Sequence, residues 1–267
     1  MSLTVLTPLL VIAAAVLVGT VLQRVSGSGV GLVVAPVLSI LLGPGLGVLI
    51  TNMTTIVSGF LIMLAVWPRI DWARYRVLGP VTVIGAIPGA WLVGQLSAGW
   101  LSIILGAIVL CALLFTVTLP QLPRWEGRTT GVVGGILGGF FNTTSGVAAP
   151  VMVIYSRLSR WDQQGFAATM QPLFMTMGIA SVVTKLLFGS VEEVGQGHLH
   201  LGLLFPGIVI TVLLGILLGG RLARIVPPGS GSRRGDGACR ARGARGADPG
   251  DRPGGERLSG GAHHLLR

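Results

Sequence analysis

Apolar stretches of about 20 residues recur from the N-terminus to about residue 226 and then stop. This repetition constrains the fold more than any other feature. About 20 apolar residues in a helix cross the roughly 30 Å hydrocarbon core of a bilayer. Inside that core every backbone polar group must be satisfied within the protein, which favours helices. With 51% apolar residues, 10% charged residues and a mean hydropathy of +0.80, the chain is too apolar for a water-facing surface. The segments fall at about 3–23, 30–42, 46–66, 77–95, 99–119, 129–141, 146–156, 164–188 and 199–220. Ala13, Ala14 and Ala15 mimic a signal-peptide cleavage region, but no basic residue precedes them, so the first segment is read as retained in the membrane.

The net charge of +10 does not point to nucleic acid once the charges are located. Residues 1–228 carry ten Arg, one Lys and five acids, nearly all between apolar runs, whereas 229–267 carry eight Arg and four acids. Arginines beside membrane segments set orientation by the positive-inside rule. Cys111 lies in an apolar run and Cys239 in the tail, so neither a disulfide nor a metal site is indicated.

Segments 30–42, 129–141 and 146–156 are too short to span comfortably, and each adjoins a polar, glycine-containing interruption. Interrupted segments at matching places in two halves point to a transporter's binding region. Gly27-Ser28-Gly29-Val30-Gly31 precedes Pro36, an apolar run and Thr51-Asn52-Met53-Thr54-Thr55. Asn142-Thr143-Thr144-Ser145-Gly146 precedes Pro150, an apolar run and Ala168-Thr169-Met170-Gln171-Pro172. This is a weak internal repeat, with Pro36 and Pro150 as register marks.

Loop charge orients the halves. The loop at 67–76 (Arg69, Arg74 and Arg76 against Asp71) and that at 120–128 (Arg124 and Arg128 against Glu126) are basic and are expected inside. The uncharged loop near Gly94 to Gly99 and the acidic loop with Glu192 and Glu193 are expected outside. Every loop obeys the rule if 129–156 crosses twice or forms a re-entrant hairpin, which keeps Arg157 and Arg160 inside. The same hairpin at 3–42 makes the halves inverted. The expectation is an all-α polytopic membrane protein of two inverted helical repeats, each with a broken or re-entrant glycine-rich segment: 1–120 the first, 121–228 the second. A last helix should follow Arg224, but Pro227, Pro228 and an Arg-, Gly- and Ala-rich run stand there instead. Residues 229–267 are therefore read as a disordered basic tail, whose composition is also what a shifted reading frame of a GC-rich gene would produce.

Gly27-x-Gly29-x-Gly31 with Pro36, and a second break ending in Gly146 with Pro150, resemble the sulfite exporter TauE/SafE family over about residues 5–225. The resemblance implies about eight membrane segments in two similar halves and movement of sulfite, sulfonates or related anions across the cytoplasmic membrane. Asn142, Thr143, Thr144 and Ser145 stand where the family often has further glycines, a departure that bears on the substrate more than on the fold.

An oxyanion in a membrane needs its charge met by something other than water. Glycines at Gly27, Gly29 and Gly31 let the chain break and aim N–H groups at a ligand, and the helix starting near Gly31 presents its positive end. The second break would add the Asn142 amide and the Thr143, Thr144 and Ser145 hydroxyls, up to Gly146. Thr144 and Ser145 have an alternative, bonding back to their own helix. Gly131, Gly135 and Gly139, with Gly134 and Gly138, have the four-residue spacing of a packing face. Asn52, Thr54, Thr55 and Gln171 are further lining candidates. Of the charged groups, Arg24 could hold the anion or reach an interface, and Lys185, near its helix end, is expected to reach toward the headgroups.

The expected partners are the lipid bilayer and a small anionic substrate, with a homo-oligomer left open and no nucleic acid, cofactor or metal indicated. His198 and His200 flank the acidic outer loop, no buried Asp, Glu or His is expected to serve a nucleophile, and Ser145 lacks a hydrolase elbow, so no enzyme is expected. A passive anion channel or a membrane scaffold remain the rival classes.

Overall fold

The computed structural model describes residues 3–118, 127–189 and 201–225, all within the unit Met1–Val226. Glu126, the Glu192 and Glu193 loop, His198, His200 and the tail with Cys239 lie outside the described residues.

Nine α-helices are described: α1 (Leu3–Ser26), α2 (Val30–Leu42), α3 (Pro44–Val66), α4 (Trp72–Gln95), α5 (Ala98–Thr118), α6 (Arg128–Ser145), α7 (Ala149–Leu158), α8 (Gln163–Leu187) and α9 (Leu201–Ile225), with a 3-10 turn at Trp67–Arg69. Four of the helical spans, Thr7–Ser26, Pro44–Arg69, Trp72–Gln95 and Gln163–Leu187, are long and apolar enough to cross a bilayer. At about 1.5 Å per residue, α2 is about 20 Å long and α7 about 15 Å, well short of a hydrocarbon core. They reach only part of the way, as their sequence length required.

The distribution of polarity is that of a protein dissolved in lipid. Leu10, Ile40, Ile84, Trp91, Leu110, Leu187 and Leu217 are exposed, while Thr51, Asn52, Ser58, Asn142, Thr143, Gln171 and Ser181 are buried. Water would reverse that arrangement; lipid rewards it. The described residues form an all-α protein with several helices able to cross a membrane.

Two helices end by the same device. Gly27 takes φ +83° and its N–H donates to the Gln23 carbonyl at 2.9 Å; Gly146 takes φ +75° and its N–H donates to the Asn142 carbonyl at 2.8 Å. Positive φ is cheap only for glycine, so these two residues stop α1 and α6 and start the breaks. Pro150 falls in the first turn of α7, whereas Pro36 lies inside α2. The two prolines are therefore not equivalent, and the glycine caps carry the register instead.

Packing brings α1 onto α2 and α9, α4 onto α6, and α3 onto α8. The α4/α6 crossing is backbone on backbone: a Cβ on Gly85 would collide with the Ile136 carbonyl, and one on Gly139 with that of Thr82. The glycine row of α6 is thus a packing face, as its spacing predicted. Along the α3/α8 seam a Cβ on Gly59 would lie 2.9 Å from the Gln171 carbonyl, and one on Gly178 would lie 3.0 Å from that of Asn52. Rising numbers on α3 meet falling numbers on α8, so the two run antiparallel. At one end of the bundle Arg74 donates to Ser159 Oγ at 3.3 Å and lies 4.5 Å over the Trp161 ring. The turn that carries Arg74 and the one beside Arg157 and Arg160 therefore share one end, while residues 120–126 of the other basic loop lie outside the described residues.

Candidate functional site: a cavity where the two helix breaks meet

Gly31 lies directly against the carbonyl of Gly146, so the breaks touch backbone to backbone in the interior. Beside that contact is a small cavity. Gln23, Gly29, Val30, Gly31 and Thr55 line it from α1 to α3, and Asn142, Gly146, Ala148, Ala149 and Phe174 line it from α6 to α8.

Gly29 precedes the first residue of α2 and Ala148 that of α7, and no side chain caps either start. Both helix N-termini, with the first-turn N–H groups that an α-helix leaves without an intrahelical acceptor, therefore border the same space. Each start carries the positive end of its helix dipole. Anions are drawn to such a place.

The walls are neutral amides held from behind. Gln23 Nε2 donates to Gln171 Oε1 at 2.9 Å, and Gln23 Oε1 accepts from Ser58 Oγ at 2.8 Å. Gln171 Nε2 donates to the carbonyls of Gly27 (3.2 Å) and Ala167 (2.9 Å). On the other side Asn142 Nδ2 donates to Asn52 Oδ1 at 2.7 Å, and Asn52 Nδ2 donates to Ser181 Oγ at 2.9 Å. A primary amide has two N–H donors. Gln23 and Asn142 each use one on a neighbouring helix, and both residues line the cavity.

The two amide pairs occupy equivalent places. Gln23 and Asn142 stand 119 residues apart (142 minus 23), and so do Asn52 and Gln171 (171 minus 52). The same shift relates Gly27 to Gly146, Gly59 to Gly178, Gly29 to Ala148, Val30 to Ala149 and Thr55 to Phe174. The bond from Gln23 to Gln171 thus maps onto the bond from Asn142 to Asn52 with the halves exchanged.

Of the residues singled out from sequence, Gly29, Gly31, Thr55, Asn142 and Gly146 line the cavity, and Asn52 and Gln171 stand one hydrogen bond behind it. Gly27 caps α1 against Ala167. Ser28 is half-buried in the break, and its N–H and carbonyl both engage the Ser26 hydroxyl. Thr144 Oγ1 and Ser145 Oγ bond back to the Phe140 (3.0 Å) and Phe141 (2.7 Å) carbonyls, the alternative that membrane helices favour. Thr143 is fully buried with its hydroxyl unpartnered among the described residues. Arg24 packs its stem toward Gly219 of α9, whose Cβ would lie 2.9 Å from Arg24 Cβ, and is absent from the cavity wall. Lys185 does not reach toward the headgroups: it is fully buried, because the inward face of α8 carries it into the bundle.

Sequence reasoning missed Gln23, Ser58, Ser181 and Phe174. For Gln23 a signal existed, a lone amide four residues before Gly27, as Asn142 is four residues before Gly146.

Comparisons with known proteins agree with this architecture. A similar protein, described as the probable inner membrane transporter protein TsaS of Comamonas testosteroni, is 27% identical over 165 residues, covering 60% of this chain and 65% of that protein. The alignment thus spans somewhat less than two thirds of the relative's length. No solved structure matches the chain. The model of the family described as sulfite exporter TauE/SafE matches residues 11–234, and the chain belongs to that family.

Proposed function

We propose that the protein is a membrane transporter that carries a small oxyanion, sulfite or a sulfonate, out of the cell through the cavity where the two breaks meet. One observation carries the reading: the uncapped N-termini of α2 and α7 converge on one buried, neutral space flanked by the Gln23 and Asn142 amides. Half-helix starts facing a common point are how transporters meet an anion without a full counter-charge. Family membership and the name of the relative support transport; the choice of anion rests on donor chemistry and the family description.

The cavity holds about one water molecule as it stands, less than an oxyanion needs. Substrate entry therefore requires the breaks to part, and this is the expected shape of a carrier between its two open states. The antiparallel α3/α8 pair and the 119-residue correspondence support two inverted halves, residues 1–120 and 121–228, that rock about this point.

The test is flux of radiolabelled sulfite and of a simple sulfonate in proteoliposomes, for the parent chain and for Gly29→Leu and Asn142→Leu. Saturable flux lost in both variants is the expected result. Flux that rises linearly with concentration would identify a channel, and no flux from a well-folded parent would overturn the reading.

A further inference from the structure

Lys185 is fully buried in α8, and its Nζ has neither a hydrogen-bond partner nor a salt bridge among the described residues. A bare ammonium in such a place is expensive, and ionisable groups inside a membrane bundle pair with an opposite charge or a carbonyl, or mark the path of a substrate ion. The helices packed on α8 supply none. α8 contacts α3, α4, α6 and the 3-10 turn, and the described acids near it are Asp71 and Asp162. Asp71 is bonded through its N–H to Thr169 Oγ1 at 2.9 Å, which is 16 residues from Lys185, about 24 Å along the axis. Asp162 caps the opposite end of α8. Among the described residues, none supplies a counter-charge to Lys185.

A polar track leads there from the cavity. Asn142 donates to Asn52 and Asn52 to Ser181 Oγ, and Lys185 follows Ser181 by one helical turn on the same face. The Ser181 hydroxyl accepts from Asn52 and retains its own proton to donate. Neighbouring Thr184 is occupied, bonding back to the Ala180 carbonyl at 2.6 Å.

We infer that Lys185 and Ser181 form a second anion station for a small oxyanion on the α3/α8 seam, about 16 Å along α8 from Phe174 in the cavity wall. The inference rests on the reading that an anion crosses this protein. The bound anion supplies the charge that the described residues do not, and two stations in line give it a stepwise path.

The test uses the full chain in detergent with inorganic sulfite as probe, measuring bound sulfite by equilibrium dialysis and the thermal unfolding midpoint with and without it. Lys185→Met keeps the volume and removes the charge, Lys185→Arg keeps the charge, and Ser181→Ala serves as a second, milder change. The expected result is two sulfites bound by the parent and by Lys185→Arg, and one by Lys185→Met, whose sulfite-free midpoint rises. Ser181→Ala weakens one of the two sites several-fold, which keeps the test decisive even if Lys185→Met fails to fold. Parent-like binding by folded Lys185→Met, or by Ser181→Ala where Lys185→Met fails to fold, would overturn the second station and leave the transport reading intact. No sulfite binding by a folded parent would overturn both.

Discussion

Replacing Asn52 by leucine removes two buried hydrogen bonds between helices, one from Asn142 at 2.7 Å and one to Ser181 at 2.9 Å. Within membrane proteins such bonds average about 0.6 kcal/mol each and reach about 1.7. The Asn142 amide left behind loses its acceptor in a buried wall, which costs a further ~1–3 kcal/mol. The expected total is about 2–4 kcal/mol. Asn142→Leu alone should cost less, since it breaks one bond. In the double variant the orphan disappears, so the two changes should couple by about 1 kcal/mol. Gln23 and Gln171 form the equivalent pair at 2.9 Å; their cycle should return a coupling of the same sign and similar size. Equilibrium unfolding in mixed micelles, monitored by the tryptophans, reads every corner of both cycles. Couplings below about 0.3 kcal/mol in both would show that the amides do not bind one another across the helices, and the account of the cavity walls would fail.

Arg24→Gln should leave the half-saturating sulfite concentration in the flux assay unchanged, because Arg24 packs toward Gly219 rather than the cavity. A weakening of about tenfold, worth about 1.4 kcal/mol, would place the guanidinium on the substrate. Thr143→Val should be neutral or stabilising by up to about 1 kcal/mol in the same unfolding assay, since it deletes a buried hydroxyl that has no partner among the described residues. A clear loss of stability would mean that the hydroxyl is bonded after all.

About half of the cavity lining was legible in the amino-acid order, and for a local reason. A glycine that must take positive φ, a run of apolar residues too short to span, and an amide stranded in an apolar helix are all properties of a few consecutive residues. Gly27 and Gly146 announced the breaks in that way, and Asn142 announced a polar wall. The fates of Thr144 and Ser145 were harder to read, because a hydroxyl that bonds back to its own helix and one that faces a ligand have the same sequence. Gln23 lay outside the glycine clusters and was passed over.

Hydropathy and backbone preference act over one or two turns, and they are enough to set the all-helical membrane class, the approximate bounds of the helices and the places where they are interrupted. They cannot say which amide meets which, that Gly31 abuts Gly146, that Arg24 turns to α9 or that Lys185 turns inward. Those outcomes depend on how α3 and α8 cross and which face each helix presents. With lipid as apolar as leucine, that choice is made by close packing and by the partners available to each buried polar group, not by hydrophobicity along the chain.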